Sequence, residues 1–436
     1  MKDTFFKSTL ILLIGGAITK ILGLIIKIIS TRIIGLEGIS LYMLIFPTFS
    51  LFMTVSQMGL STALSKLVAE NKRNNKNLVL SIIPITILFN IILIVLIFLT
   101  APIISYFLKD ERTLIPIISI AFVLPFDCIS SILRGYFFGK EKMFPHIFSL
   151  IIEQITRLIL IIIFIPNLLN KSVITAVSGL VLVNIISETI STITLILFIK
   201  DRKIKLKDFI PNKSNIKSIL NISIPTTTSR VIGSIAYFFE PIIITTSLLL
   251  MNYNKTYIIQ EYGIIEGYVL PLLLIPSFFT NALSSALIPD ISKKYIEKNY
   301  RGIIKRINKV IKISLSIGII SSLILFINPN IFLKLLYKTN HGTYYLRALA
   351  PFFIFLYIQI PLESVLQAIN KSKKVMINNI LGTIIKLLLI FILSFLKIGL
   401  FNLIIAIIAN ILITTVLHVK AIKKELIFIS SSWFSI

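Results

Sequence analysis

Residues 8–34 read STLILLIGGAITKILGLIIKIISTRII, an apolar run long enough to cross a bilayer with Lys20, Lys27 and Arg32 inside it. A spanning helix needs about 20 apolar residues. A cation at its centre costs roughly 2.5–3.5 kcal/mol on insertion scales, so it normally faces a wet cavity or a partner. The same pairing of apolar run and internal cation recurs at Arg157, Arg230 and Lys386. The apolar stretches hold too few acids to neutralise six cations locally. The surplus points to a cavity that holds something negative.

The rest of the chain is of the same kind. Of its 436 residues 56% are hydrophobic and only 14% charged, with a mean hydropathy of +0.95. Soluble domains carry about 25% charged residues, so the composition is that of an integral membrane protein. About twelve spans are predicted, near 8–34, 40–65, 78–104, 113–136, 147–166, 173–199, 218–250, 263–288, 310–336, 343–369, 376–396 and 399–419. The first lacks the short apolar core and small-residue cleavage site of a signal peptide and is expected to remain in the protein. The lone Cys128 excludes disulfides within the chain and any cysteine-based metal site. His146, His341 and His418 form no ligand pair and read as structural.

A net charge of +26 and a pI near 10.0 suit nucleic acid, but the distribution of the cations does not. Thirty of the 44 Lys and Arg residues fall on one alternate set of connectors, among them Arg134, Lys140 and Lys142. That is the positive-inside pattern, which predicts an even number of spans with both termini cytoplasmic. The basic surplus is a topology signal, and nucleic acid drops out as a partner. The bilayer is the expected surrounding.

The longest polar connector, residues 200–217, divides the chain into an N-terminal six-helix bundle (1–199) and a C-terminal one (218–421), with a short tail at 422–436. Internal repeats are common in transporters. Here Thr19-Lys20-Ile21-Leu22-Gly23 parallels Ser229-Arg230-Val231-Ile232-Gly233, and Leu124-Pro125-Phe126-Asp127 parallels Ile360-Pro361-Leu362-Glu363. Arg157 corresponds by position to Lys386. Six spans return the chain to the same side, so the halves are expected to be parallel, pseudo-symmetric repeats around an alternating-access cavity.

Lys20, Gly23, Lys27 and Thr31 share one helical stripe. Arg32 and Lys27 can snorkel to headgroups, whereas Lys20 and Arg230 lie too deep for that. Their bland reading is an ion pair with an acid on another helix: Asp127, Glu153, Glu188, Glu240 or Glu363. Their functional reading, shared with Lys386, is contact with an anionic ligand such as phosphate. Glu153 and Arg157 stand at i,i+4, the spacing of a local salt bridge. No nucleotide-binding fold is visible and no cofactor is implied. Transport would draw on H+, Na+, the membrane potential or the substrate's own gradient, with Asp127, Glu188, Glu240 and Glu363 as candidate coupling acids.

The segment SILRGYFFGKEKMFPHIFSLIIEQITRLI (131–159), with Arg134, Gly135, Gly139, Glu153 and Arg157, resembles the LRGYFQG…IIEQIxR segment of polysaccharide flippases. The opening ITKILGLIIKIISTRIIGLEGISLYMLIFP and GLSTALSKLVAE resemble the same group. Together they look like the stage V sporulation protein B branch of the multidrug/oligosaccharidyl-lipid/polysaccharide (MOP) exporter superfamily. The resemblance implies an all-α fold of two six-helix bundles in a V. It implies an undecaprenyl-diphosphate-linked saccharide as cargo and cell-wall synthesis enzymes as partners. The basic residues of spans one and seven (Lys20, Lys27, Arg230) would hold the diphosphate and sugar. Peptidoglycan-type relatives carry fourteen spans rather than twelve, which keeps both lipid II and another polysaccharide precursor open as cargo.

A cation-coupled multidrug exporter of the same architecture is the competing reading, and it calls for an acid-dominated cavity. A membrane scaffold in cell-wall assembly would make the internal cations dispensable. No nucleophile–base constellation or metal cluster stands out, so an enzyme is not expected.

Overall fold

A computed structural model of the chain describes residues 2–70, 75–199 and 206–429, and these are almost wholly α-helical. Parts of the connector and tail, 200–205 and 430–436, lie outside the described residues. Helices apolar all round are stable where lipid replaces water, because every backbone group is satisfied within the segment.

Helix α1 (Lys2–Gln57) is two arms joined at Gly35, whose φ of 64° and ψ of −169° are open in practice only to glycine. The arms correspond to the predicted spans 8–34 and 40–65. The second arm stops at Gln57, where Met58 and Gly59 turn to positive φ, and α2 (Leu60–Glu70) follows. Then come α3 (Asn75–Phe107), α4 (Leu114–Gly139), α5 (Met143–Leu169), α6 (Val173–Leu197) and α7 (Lys213–Leu250). Although Pro225 and Pro241 offered break points, α7 runs through both as one helix. Helix α8 (Lys255–Ile264) passes through a π-helical turn into α9 (Leu270–Leu274). A 53° bend then separates it from α10 (Ser277–Ile296).

The predicted span 310–336 is instead two helices. Helix α11 (Tyr300–Ile327) ends where Asn328 leaves helical geometry at φ −125°, ψ 55°, and Pro329 opens α12 (Pro329–Tyr337). The chain closes with α13 (Thr343–Ala368), α14 (Ser372–Ser394) and α15 (Phe401–Ile429). Side-chain caps fix several starts. Asn254 Oδ1 accepts from Thr256 N–H at 2.8 Å, and Asn299 Oδ1 accepts from Gly302 N–H at 2.8 Å.

Among the described residues nine helices are long and apolar enough to cross a membrane, and the bent α8–α10 segment makes a tenth. The predicted spans 8–34 and 40–65 fall on the arms of α1, which are not among those ten. Exposed faces such as Leu88, Ile92, Val95, Leu99 and Ile103 of α3 form the apolar surface that a bilayer covers.

The chain packs as two units, Met1–Ile242 and Ile243–Ile436, the division falling inside α7. The first unit is centred on Leu60, Leu64, Leu78, Ile82, Ile132 and Phe137, contributed by α2, α3 and α4. The second gathers Leu287, Ile291, Ile303, Val365, Leu366 and Ile422 from α10, α11, α13 and α15.

Two glycines of the Leu133–Gly139 segment explain part of that core. A Cβ on Gly135 would lie 2.6 Å from the backbone oxygen of Ser61, and one on Gly139 would lie 2.5 Å from that of Ser65. Helices α4 and α2 therefore touch backbone to backbone, as small residues four apart allow in membranes. Gly135→Ala should force them apart at a cost of about 1–3 kcal/mol. Thermal unfolding in detergent would show it, and an unshifted midpoint would refute the close approach.

Candidate functional site

Two groups of polar side chains in the first unit hold most of the candidate residues. The first is a buried network across α4, α5 and α6. Asp127, Ser130 and Arg134 lie on one face of α4, at spacings of three and four. Arg134 Nη2 donates to Glu153 Oε2 at 2.6 Å, to Glu188 Oε2 at 2.9 Å and to Ser191 Oγ at 2.9 Å. Arg157 Nη2 donates to Glu153 Oε1 at 2.6 Å and approaches Glu188 Oε1 at 3.8 Å. Ser130 Oγ bridges by donating to Glu188 Oε2 at 2.5 Å and to Asp127 O at 3.0 Å. Gln57, at the end of α1, donates from Nε2 to Asp127 Oδ2 at 2.8 Å.

Three carboxyl groups thus face two guanidiniums. The side chains of Glu153 and Glu188 are each 5% exposed and that of Arg134 14%. Such a cluster, once formed, is held by the cost of leaving any one charge unpaired.

The second group is the α1 stripe with Arg230. Lys20 is exposed and Lys27 half-buried, Thr31 is buried and Arg32 exposed. Thr19 Oγ1 and Ser30 Oγ donate to Gly16 O at 3.0 Å and to Lys27 O at 3.1 Å, turning their hydroxyls onto the helix itself. In α7, Arg230 is exposed. The glycines of the two repeated [ST]-[KR]-x-x-G motifs behave alike. A Cβ on Gly23 or on Gly233 would meet nothing within 4 Å. Each motif thus carries an exposed cation and, one turn later, a glycine whose Cβ position is uncovered.

Glu240, further along α7, is 2% exposed. A separate crevice of about 350 Å³ in the first unit is lined by Leu51, Phe52, Leu96, Phe107, Phe238 and Ile242 among others. No charged group lines it, so it suits a hydrocarbon chain and not an anionic head.

In the second unit Glu363 is the centre of a smaller cluster. Its Oε1 accepts from Gln359 Nε2 at 3.1 Å and Asn379 Nδ2 at 3.3 Å, and lies 3.3 Å from His418 Nε2. Asn378 Nδ2 is 2.9 Å from His418 Nδ1. Lys386, two turns along α14 from Asn378, is half-buried. No group of three or more His, Cys, Asp or Glu side chains able to hold a metal ion occurs among the described residues.

The structure therefore joins Glu153, Arg157 and Glu188, with Asp127 at the edge. It leaves Lys20, Lys27 and Arg32 strung along one arm of α1. The sequence reading overlooked Gln57 and the pairing of His418, and gave Arg134 a place in the resembling motif but not in an ion-pair network. Arg134 was assigned to a basic connector, yet it sits inside α4 at the heart of the network. Gln57 and His418 carried no charge signal. A sign was available for Arg134, since Asp127, Ser130 and Arg134 recur at helical spacing.

The chain matches the family model described as polysaccharide biosynthesis protein over residues 5–295, and the one described as MatE over residues 267–392. It is 35% identical to stage V sporulation protein B of Bacillus subtilis (strain 168), over 98% of this chain and 85% of that protein. It is 24% identical to the lipid II flippase MurJ of the same organism, over 89% of this chain and 77% of that protein. Among solved structures, a multidrug resistance MATE family transporter of the MOP superfamily in its inward-facing conformation aligns with a TM-score of 0.76. That alignment covers 95% of this chain and 96% of the other at 17% identity, a likeness of fold alone. With a family model spanning most of its length and a 35% identical relative matched almost end to end, the chain belongs to the polysaccharide biosynthesis protein family of MOP-superfamily membrane transporters.

Proposed function

We propose that the protein is a flippase for undecaprenyl-diphosphate-linked saccharides. It moves lipid II or a related polysaccharide precursor from the inner to the outer leaflet of the plasma membrane by alternating access, with both termini cytoplasmic. The product would feed cell-wall, spore-cortex or polysaccharide synthesis. The observation that carries the reading is the repeated cation–glycine motif. Lys20 with Gly23 and Arg230 with Gly233 set an exposed cation one turn from an uncovered glycine on two helices of the first unit. A diphosphate is the anion that lysine point charges and a forked guanidinium suit. Relatives named for sporulation and for lipid II flipping support the cargo class. The hydrocarbon tail of such a cargo stays in the bilayer, where no polar site is needed.

Purified protein in liposomes, with a fluorescent undecaprenyl-diphosphate saccharide and a membrane-impermeant quencher, tests this. Leaflet exchange should exceed that of empty vesicles and be absent for a neutral isoprenoid alcohol. Uptake of cationic dyes without any exchange of the diphosphate lipid would instead favour multidrug export, the reading that the MATE-like fold also accommodates.

A further inference from the structure

The two units carry polar clusters on corresponding helices, and the clusters differ in kind. Helices α4, α5 and α6 of the first unit correspond to α13, α14 and α15 of the second. Asp127 stands two residues after Pro125, as Glu363 stands two after Pro361. Laying Arg157 on Lys386 places Glu153 on Gly382 and Glu188 on the residue just before His418. Gly382 is closely covered, and a Cβ there would collide with Thr414 Oγ1 and Asn410 Oδ1. The second unit thus has a glycine where the first has one acid, and an imidazole next to the position of the other.

That difference changes the chemistry. In the first unit Glu153 and Glu188 each lie against two guanidiniums, those of Arg134 and Arg157. In the second unit Glu363 is held by two neutral amides and one ring that can itself carry charge. Imidazole is the side chain that gains and loses a proton near neutrality.

The geometry serves both states. With the ring neutral, Nε2–H donates to Glu363 and Nδ1 accepts from the Asn378 amide. With the ring protonated, Nδ1–H needs an acceptor, and rotating the Asn378 amide supplies Oδ1. One proton added to the pair takes it from a net charge of −1 to 0, with no bond other than N–H formed. Access is graded, for the Glu363 side chain is 26% exposed and that of His418 0%.

The helices packed against α15 are α13 and α14. From α13 the charged group facing His418 is Glu363, beside neutral Gln359. From α14 it is met by Asn378 and Asn379. The α14 cations lie further off, Lys373 and Lys374 toward the start of the helix and Lys386 two turns beyond. On α15 itself Lys420, Lys423, Lys424 and Glu425 follow, Glu425 being paired with Lys371 at 2.9 Å and with Lys374.

We propose that Glu363 and His418 form a proton-binding site in the second unit, and that the proton taken up there is the ion coupled to transport. The coupling half of this statement rests on the protein being a transporter, while the site itself does not.

Two measurements keep these apart. In 15N-histidine-labelled full-length protein in nanodiscs, the ring signals lost in His418→Gln belong to His418. They should titrate in the wild type and titrate differently in Glu363→Gln. A His418 ring held in one protonation state from about pH 5 to pH 8.5, a range centred on imidazole's ordinary value, would overturn the site. A ring indifferent to Glu363→Gln would overturn the pairing. In liposomes, wild-type exchange should change about fivefold or more across the same range. It should change less than about twofold in His418→Gln and Glu363→Gln, while His146→Gln keeps the wild-type profile. A wild-type pH profile in His418→Gln would overturn the coupling. Absence of exchange at every pH in the wild type would instead sink the flippase reading and leave the ring titration to judge the site.

Discussion

Arg134→Met should destabilise the protein by about 3–5 kcal/mol, the cost of stranding buried charge. One Nη2 atom of Arg134 holds Glu153, Glu188 and Ser191 together, and its removal leaves the two acids with only Arg157 between them. Methionine keeps most of the volume and the helical propensity, so the loss reports on charge rather than on packing. Arg157→Met should cost less. Its side chain is more exposed, at 21%, and its main bond is a local i,i+4 contact.

The double variant Arg134→Met, Glu188→Gln separates explanations, because deleting an acid relieves the charge that the first substitution uncovered. It should recover part of the stability, as coupled neighbours do. Denaturant or thermal unfolding in detergent reads both effects. If Arg134→Met fell within about 1 kcal/mol of the wild type, a range typical of exposed pairs, the network would not be holding α4, α5 and α6 together.

The spans were legible because their signal is long and single-valued, a run of apolar residues that no soluble fold tolerates. Where a span breaks was less legible. The kink at Gly35 and the restart at Pro329 depend on one or two residues each, and other glycines and prolines of equal prominence, such as Pro225 and Pro241, pass without a break. Whether a proline bends a membrane helix is decided by what neighbours supply to the freed carbonyl, which lies outside the local sequence.

The site divides the same way. The Glu153–Arg157 contact lies within one helix and could be read from spacing. Arg134 could not be separated from the connector lysines by charge count, because a positive residue near a helix end looks the same whether it faces water or a buried acid. His418 was opaque for another reason. Its partner Glu363 comes from α13, 55 residues earlier, and only packing brings the two together.

Removing the exposed cations Lys20 and Arg230 should abolish transport while leaving the fold intact. Lys20→Ala and Arg230→Ala delete side chains that are exposed in the structure, so neither opens a cavity in the packed core. Each should remain monodisperse in detergent with a near-native unfolding midpoint. Each should nevertheless lose exchange of a diphosphate-linked lipid by tenfold or more, the effect of about 1.4 kcal/mol or more in binding the charged head. Lys20→Arg keeps the charge and should retain most activity. Arg230→Lys keeps the charge but not the planar fork, and should fall between wild type and alanine if the guanidinium grips phosphate through two donors.

Raising ionic strength adds a further distinction. A site reached by water is screened by salt, so the wild-type rate should fall as salt rises, and the alanine variants should lose that dependence. Cations that only anchor the helix to headgroups predict the opposite pattern. Transport would then survive both substitutions, and orientation or insertion in the membrane would suffer instead. Wild-type exchange rates in both alanine variants would remove the anionic head from α1 and α7, and with it the reason for proposing a diphosphate cargo.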